Sequence, residues 1–153
     1  MSAQMSQPDG LRCEQDALRT RWISAGGEVS LPRVQKGIFQ YVMKGHYDVE
    51  LMSLVWKLFD EFAAANSGKL HAFADLSALS GYDSETRRVA AQGFSDRSAR
   101  WDAFHALLPS GLTSRLLSMA FGIINMVSRV PMKTYTDRKA FDDARTKALS
   151  AKG

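Results

Sequence analysis

A chain of 153 residues and 17.0 kDa has the length of one ordinary domain. Apolar residues make up 45% and charged residues 24%, which excludes a chain disordered throughout, a collagen-like repeat and a disulfide-stapled miniprotein. The formal net charge of +4 is a mild basic excess, and basic runs no longer than Arg87-Arg88 or Arg138-Lys139 give no clustered surface, so no nucleic-acid partner is expected.

Residues 1–27 read as a polar tail, with a short helix over Leu11 to Trp22 cut off by Gly26-Gly27. The tail has no apolar core of the signal-peptide kind, and the lone Cys13 forms no internal disulfide. A cytoplasmic location is the expectation. Glu28 to Val34 reads as a strand that Pro32 demotes to a sheet edge, and Ile38 to Lys44 as its hairpin partner across Gln35-Lys36-Gly37.

Asp48 is a good N-cap for a helix with Leu51, Met52, Val55, Leu58, Phe59, Phe62 and Ala63 on its apolar side, closed by Asn66-Ser67-Gly68 with Gly68 as the C-cap glycine. Leu70 to Leu76 is a short apolar run between turn signals and reads as a buried strand. Ser80-Gly81-Tyr82-Asp83 reads as a loop, and Asp83 or Ser84 caps a helix of roughly 84–99. Ala103 to Leu108 is a further buried strand, Pro109-Ser110-Gly111 opens a helix over 112–128, and Met132 to Thr136 is the last strand. Asp137 caps a final helix with Phe141, Ala144 and Ala148 on one side.

The order ββαβαβαβα needs crossovers, and crossovers make a mostly parallel sheet. The predicted fold is α/β: a mixed sheet of about five strands with helices packed on it, spanning 28–150. In this setting the chain resembles the STAS family, the sulfate-transporter and anti-sigma-factor-antagonist domains. The resemblance is carried by the first hairpin, the β-α alternation, Asp75-Leu76-Ser77 at a strand end, and Asp83-Ser84 at the start of the next helix. Glu85-Thr86-Arg87-Arg88 stands where the family has small residues and a Gly, so the resemblance is that of a divergent member. It implies a regulatory, non-enzymatic module with a protein partner, in the family a kinase-like anti-sigma regulator. Asp75, Ser77, Asp83 and Ser84 are then the partner and phospho-switch candidates. A phosphate on Ser84 would meet the free N–H groups at a helix N-terminus, whereas a plain helix cap is the structural alternative for Asp83-Ser84.

Other chemistry is poorly supported. His46, His71 and His105 lack metal-ligand spacing, so no metal is expected. No Gly-rich nucleotide loop occurs, and no cofactor is expected. His71, Phe73 and Asp75 alternate along one strand and share a face, with Ser77 extending the row. No nucleophile elbow accompanies them, and no catalytic residue is assigned; His71 and His105 read as hydrogen-bonded histidines of a half-buried sheet. Ser110, Gly111, Thr113, Ser114 and Arg115 form a candidate anion site where a strand gives way to a helix, with Ser110 as a plain N-cap the alternative. The 112–128 helix is apolar almost all round and reads first as core; its alternatives are a homodimer face and, with the sheet, a pocket for a lipid or anion. The most apolar stretch, Leu116 to Val127, is shorter than the roughly 20 residues that span a bilayer, so no transmembrane segment is expected.

Overall fold

The computed structural model describes residues 10–152. One seven-stranded sheet runs in chain order: β1 (Arg12–Gln15), β2 (Arg19–Ile23), β3 (Gly27–Pro32), β4 (Phe39–Tyr47), β5 (Leu70–Tyr82), β6 (Trp101–Leu107) and β7 (Met132–Tyr135). Neighbours are antiparallel from β1 to β4 and parallel from β4 to β7. The crossovers are α1 (Val49–Ala65), α2 (Ser84–Asp96) and α3 (Leu112–Ser128), and α4 (Arg138–Lys152) ends the chain. Parallel strands that advance in one direction through right-handed crossovers put all their connecting helices on one face. Buried residues of α1, α2 and α3 accordingly share one core, whereas α4 packs Phe141 and Ala148 against Phe73 and Leu107 on the opposite face.

Two strands more than expected come from the segment read as a tail. Residues 12–23 form the hairpin β1–β2 in place of a helix over 11–22, with Cys13 opposite Trp22; residues 1–9 lie outside the described residues. Asp16 holds the turn by accepting from the Leu18 and Arg19 amides at 2.8 and 3.0 Å. The sheet edge therefore lies at β1, and β3 is interior. Pro32 is tolerated there as the last strand residue, opposite Arg19.

β4 runs on past Lys44 to Tyr47. Its pairing with β5 shifts register around Lys44 and Gly45, and Gly45 has φ +81°. A Cβ at Gly45 would lie 2.6 Å from the Gly26 carbonyl oxygen, so the bend is closed to other residues. β5 likewise does not end at Leu76. It continues through the predicted loop to Tyr82, with extra residues inserted between Asp75 and Ala78 and between Leu79 and Gly81 relative to β4.

Helix starts follow the predicted caps. Asp48 accepts from the Leu51 amide, Asp83 from the Thr86 amide, and Asp137 from the Lys139 and Ala140 amides. The ends differ. The C-cap of α1 is Asn66, two residues before Gly68, and Arg100 donates to the carbonyls of Ala63, Asn66 and Gly68. α2 stops at Asp96, and a short 3-10 turn (Ser98–Arg100) leads into β6, which begins two residues earlier than predicted.

The core between sheet and helices is aromatic. Phe59 stacks on Trp101 with ring centroids 4.5 Å apart, and Trp56 meets Phe94 edge-on at 4.8 Å. α1 and α2 are locked around Trp56: the Arg97 guanidinium lies 4.7 Å from its ring centroid and forks onto Asp60 at 2.7 and 2.8 Å. No helix among the described residues is long and apolar enough to cross a membrane.

Candidate functional site

Three arrangements are built from the sequence candidates. The first sits on the α4 side of β5. Asp75 Oδ1 accepts from the Ser77 amide at 3.0 Å and from its hydroxyl at 2.6 Å, and Arg138 Nη2 donates to Asp75 Oδ2 and Ser77 Oγ, both at 3.0 Å. Burial acts to raise the Asp75 pKa, but the bonds from Ser77 and Arg138 outweigh it and hold the carboxyl below its ordinary value. Ser77 and Arg138 then line a cleft of about 750 Å³ with Thr136 and the loop that opens α3. Of the anion-site candidates, Ser110, Gly111, Ser114 and Arg115 line this cleft and Thr113 does not. The N-cap of α3 is Gly111 at φ +80°, with no side-chain cap bond, so Ser110 does not cap the helix. Arg138 was missed from sequence. Its signal lies in the parallel register, which sets Asp75, Leu107 and Tyr135 side by side just before the chain turns into α4.

The second arrangement is around Ser84. Asp83 spends one carboxylate oxygen on the Thr86 amide at 2.8 Å and the Thr86 hydroxyl at 2.6 Å, and these bonds hold its pKa below the ordinary value. Asp83 is therefore the cap, and Ser84 stands exposed as the first residue of α2. Ser84 does not face the Ser77 cleft. It lines a separate groove of about 500 Å³ between α2 and α3, with Arg87, Arg88, Leu116, Met119 and Ile123. The expectation that α3 belongs to the core holds on one side only. Leu117, Phe121 and Ile124 are buried, while Leu112, Leu116, Met119, Ile123, Met126 and Val127 are between 49% and 75% exposed.

The third arrangement pairs the two strand histidines as expected. His71 Nε2 lies 3.1 Å from Asp102 Oδ2, His71 Nδ1 lies 3.2 Å from His105 Nε2, and His105 Nδ1 lies 2.8 Å from the Tyr135 hydroxyl. With both rings neutral, His71 bonds Asp102 through Nε2–H and accepts on Nδ1 from His105 Nε2–H, and His105 Nδ1 then accepts from the Tyr135 hydroxyl. Both neutral rings are satisfied in this direction. His105 is 4% exposed, and burial, followed by the fields of His71 and Lys133, pushes its pKa down to about 4. Among the described residues no group of three or more His, Cys, Asp and Glu is placed to hold a metal ion.

An apolar cavity of about 60 Å³ lies under α3, lined by Tyr41, Tyr47, Leu76, Phe104, Leu117 and Phe121 among others. The Tyr47 hydroxyl is buried beside it, next to the Tyr41 hydroxyl.

No family model matches the chain, and no curated protein does. Among solved structures the chain is similar to a protein of the DUF3478 family from Shewanella loihica PV-4, described as uncharacterized and as having a SpoIIAA-like fold. The two are 14% identical, with a TM-score of 0.56 over 85% of this chain and 97% of that one. The fold is SpoIIAA-like. Within the SpoIIAA-like sheet, Asp83-Ser84 stands at the head of a helix as the resemblance implies. Asp75-Leu76-Ser77 lies in mid-strand rather than at a strand end, because β5 bulges there and continues.

Proposed function

We propose that this chain is a non-enzymatic, cytoplasmic regulatory module of the anti-anti-sigma kind, which docks a protein partner on the side formed by α2 and α3. The observation that carries this reading is the exposed apolar side of α3 lying in one groove with Ser84. Scattered exposed apolar residues need no explanation, but six on one side of one helix mark a surface that is covered in use. Ser84 is placed to control it. A phosphate there would bring about two negative charges to the mouth of the groove, beside Arg87 and Arg88.

The test is affinity capture with the purified chain as bait, comparing wild type with Ser84→Asp and Ile123→Glu. A specific partner is expected on wild type, strongly reduced on both variants. A partner retained equally by Ser84→Asp removes the switch, and one retained equally by Ile123→Glu removes α3 as the docking side. Both positions are exposed, so matching thermal melts confirm that folding is intact.

A second reading is favoured by the Tyr47 hydroxyl. The cavity beneath α3 is mostly apolar, with the hydroxyls of Tyr41 and Tyr47 in its wall, so a small, mostly apolar ligand with one polar group fits it. A thermal-shift screen of short fatty acids and alcohols tests this. Binding to the folded state alone raises Tm with ligand concentration, and the rise is expected to shrink in Tyr47→Phe. An unchanged Tm across the screen ends this reading.

A further inference from the structure

If the α2–α3 side docks a partner as proposed, its chemistry specifies that partner more closely. Along α3, Leu112, Leu116, Met119, Ile123 and Met126 recur in steps of four and three, the spacing that seats one helix against another. They form a seam roughly 21 Å long at 1.5 Å per residue. A separate stripe, Arg115, Ser118, Asn125 and Arg129, is exposed on the solvent side of the helix. With Val127 beside it, the seam is bounded by that polar stripe, and its middle, Leu116, Met119 and Ile123, lies in the groove against α2.

The charged side chains of α3 and of the groove lining have one sign. From Ala103 to Thr136 there is no Asp or Glu. Arg88 is paired with Glu85, but Arg87, Arg115 and Arg129 enter none of the ion pairs among the described residues. A second copy seated on the seam would set Arg115 against Arg129 in an antiparallel pairing, or each against its own twin in a parallel one, with no acid on either α3 in reach. An anionic bilayer satisfies the charge but presses on a flat face, and it leaves a concave groove between two helices unfilled.

We propose that the groove between α2 and α3 takes an amphipathic helix of a partner protein, about four turns long, whose apolar stripe is flanked by Asp and Glu. Its apolar residues interleave with Leu116, Met119 and Ile123, and its acids meet Arg87 and Arg115. The same arrangement gives the sign of the switch: a phosphate on Ser84 occupies Arg87 and Arg88 and repels the incoming acids.

The probe is a labelled 20-residue helical peptide with Leu at four-three spacing and Glu on both flanks, compared with a twin carrying Lys for Glu. Fluorescence anisotropy with the full chain is expected to show saturable binding of the Glu peptide. The Lys twin binds at least tenfold more weakly, and raised salt weakens the Glu peptide. Ile123→Glu abolishes its binding, and Arg87→Glu with Arg115→Glu reverses the preference between the twins. Equal affinity for the two peptides, or no binding of either, overturns the proposal. So does a dimer by light scattering that Ile123→Glu dissolves, or co-sedimentation with phosphatidylglycerol vesicles in the absence of peptide binding. If capture of a partner remains sensitive to Ser84→Asp while the Glu peptide fails to bind, the acidic helix is wrong and the docking reading stands.

Discussion

Gly93→Ala is expected to lower the stability of the folded chain by about 2 kcal/mol, although Ala is the better helix former by roughly 1 kcal/mol. A Cβ at Gly93 would lie 2.0 Å from Trp56 Nε1 and 2.1 Å from Cε2. The indole cannot step aside, because Phe59, Phe94 and Trp101 surround it and Arg97 lies across its face. The helices must therefore separate, and the fork from Arg97 to Asp60 and the Arg97 bond to the Gly93 carbonyl separate with them. For a chain of this size, Tm should fall by roughly 4–8 °C. The same substitution in a Trp56→Phe background should cost clearly less, since the indole nitrogen and its ring are gone; this non-additivity is the signature of direct contact. An unchanged or raised Tm in the single variant would falsify the close approach of α1 and α2.

Acid should weaken the fold well before the carboxylates protonate. His105 has a folded pKa of about 4 against an ordinary 6.5, so between those values the unfolded chain holds a proton that the folded chain refuses. Stability is complete above pH 6.5 and falls as the pH drops toward 4, by about 3 kcal/mol over the window. The sign follows from a lowered histidine pKa: the neutral ring is the one that the folded state keeps. Asp75, whose pKa is also lowered, adds its own loss only below about its ordinary 3.8, so the two windows adjoin rather than overlap. Urea unfolding at pH 7, 5.5 and 4.5 reads the slope directly. His105→Phe keeps a flat ring against Phe73, which stacks on His105 at 4.0 Å, and is expected to remove about one proton from the slope. A slope unchanged by that substitution would place the acid sensitivity elsewhere.

How much of this was legible in the sequence depends on where side chains replace backbone partners. Asp48, Asp83 and Asp137 announce three helices because each carboxylate accepts from amides two or three residues ahead, a signal with a fixed offset. The helix expected over Leu11 to Trp22 is a hairpin instead, because Asp16 accepts from the Leu18 and Arg19 amides and holds a turn in its middle. The flanking strands are four and five residues long, and Cys13 and Thr20 stand buried where a stronger β pattern would have Val or Ile. β5 seemed to stop at Leu76 because Ser77 gives its amide to Asp75 at a bulge, so a polar, turn-like run continues as strand. Alternation put His71 and Phe73 on one face, and the parallel register sets His105 beside Phe73, diagonal to His71, so the two histidine rings meet. Arg138 was not legible, because its partners are some sixty residues away and only the finished sheet sets them side by side.

Strand order in space repeats strand order in the chain, from β1 at one edge to β7 at the other. No strand has to be inserted between two already paired, so the sheet can grow by accretion as the chain leaves the ribosome. The first four strands close through tight connections, and their pairings are local and fast; each later strand must wait for a whole crossover helix, so assembly slows after Tyr47. Until α3 arrives, Phe94 of α2 covers Phe104 on one side only, and the place that Phe121 fills stays open. The nascent protein is therefore most prone to aggregate in the interval between β6 and α3, and this interval is where a chaperone would have the most to protect.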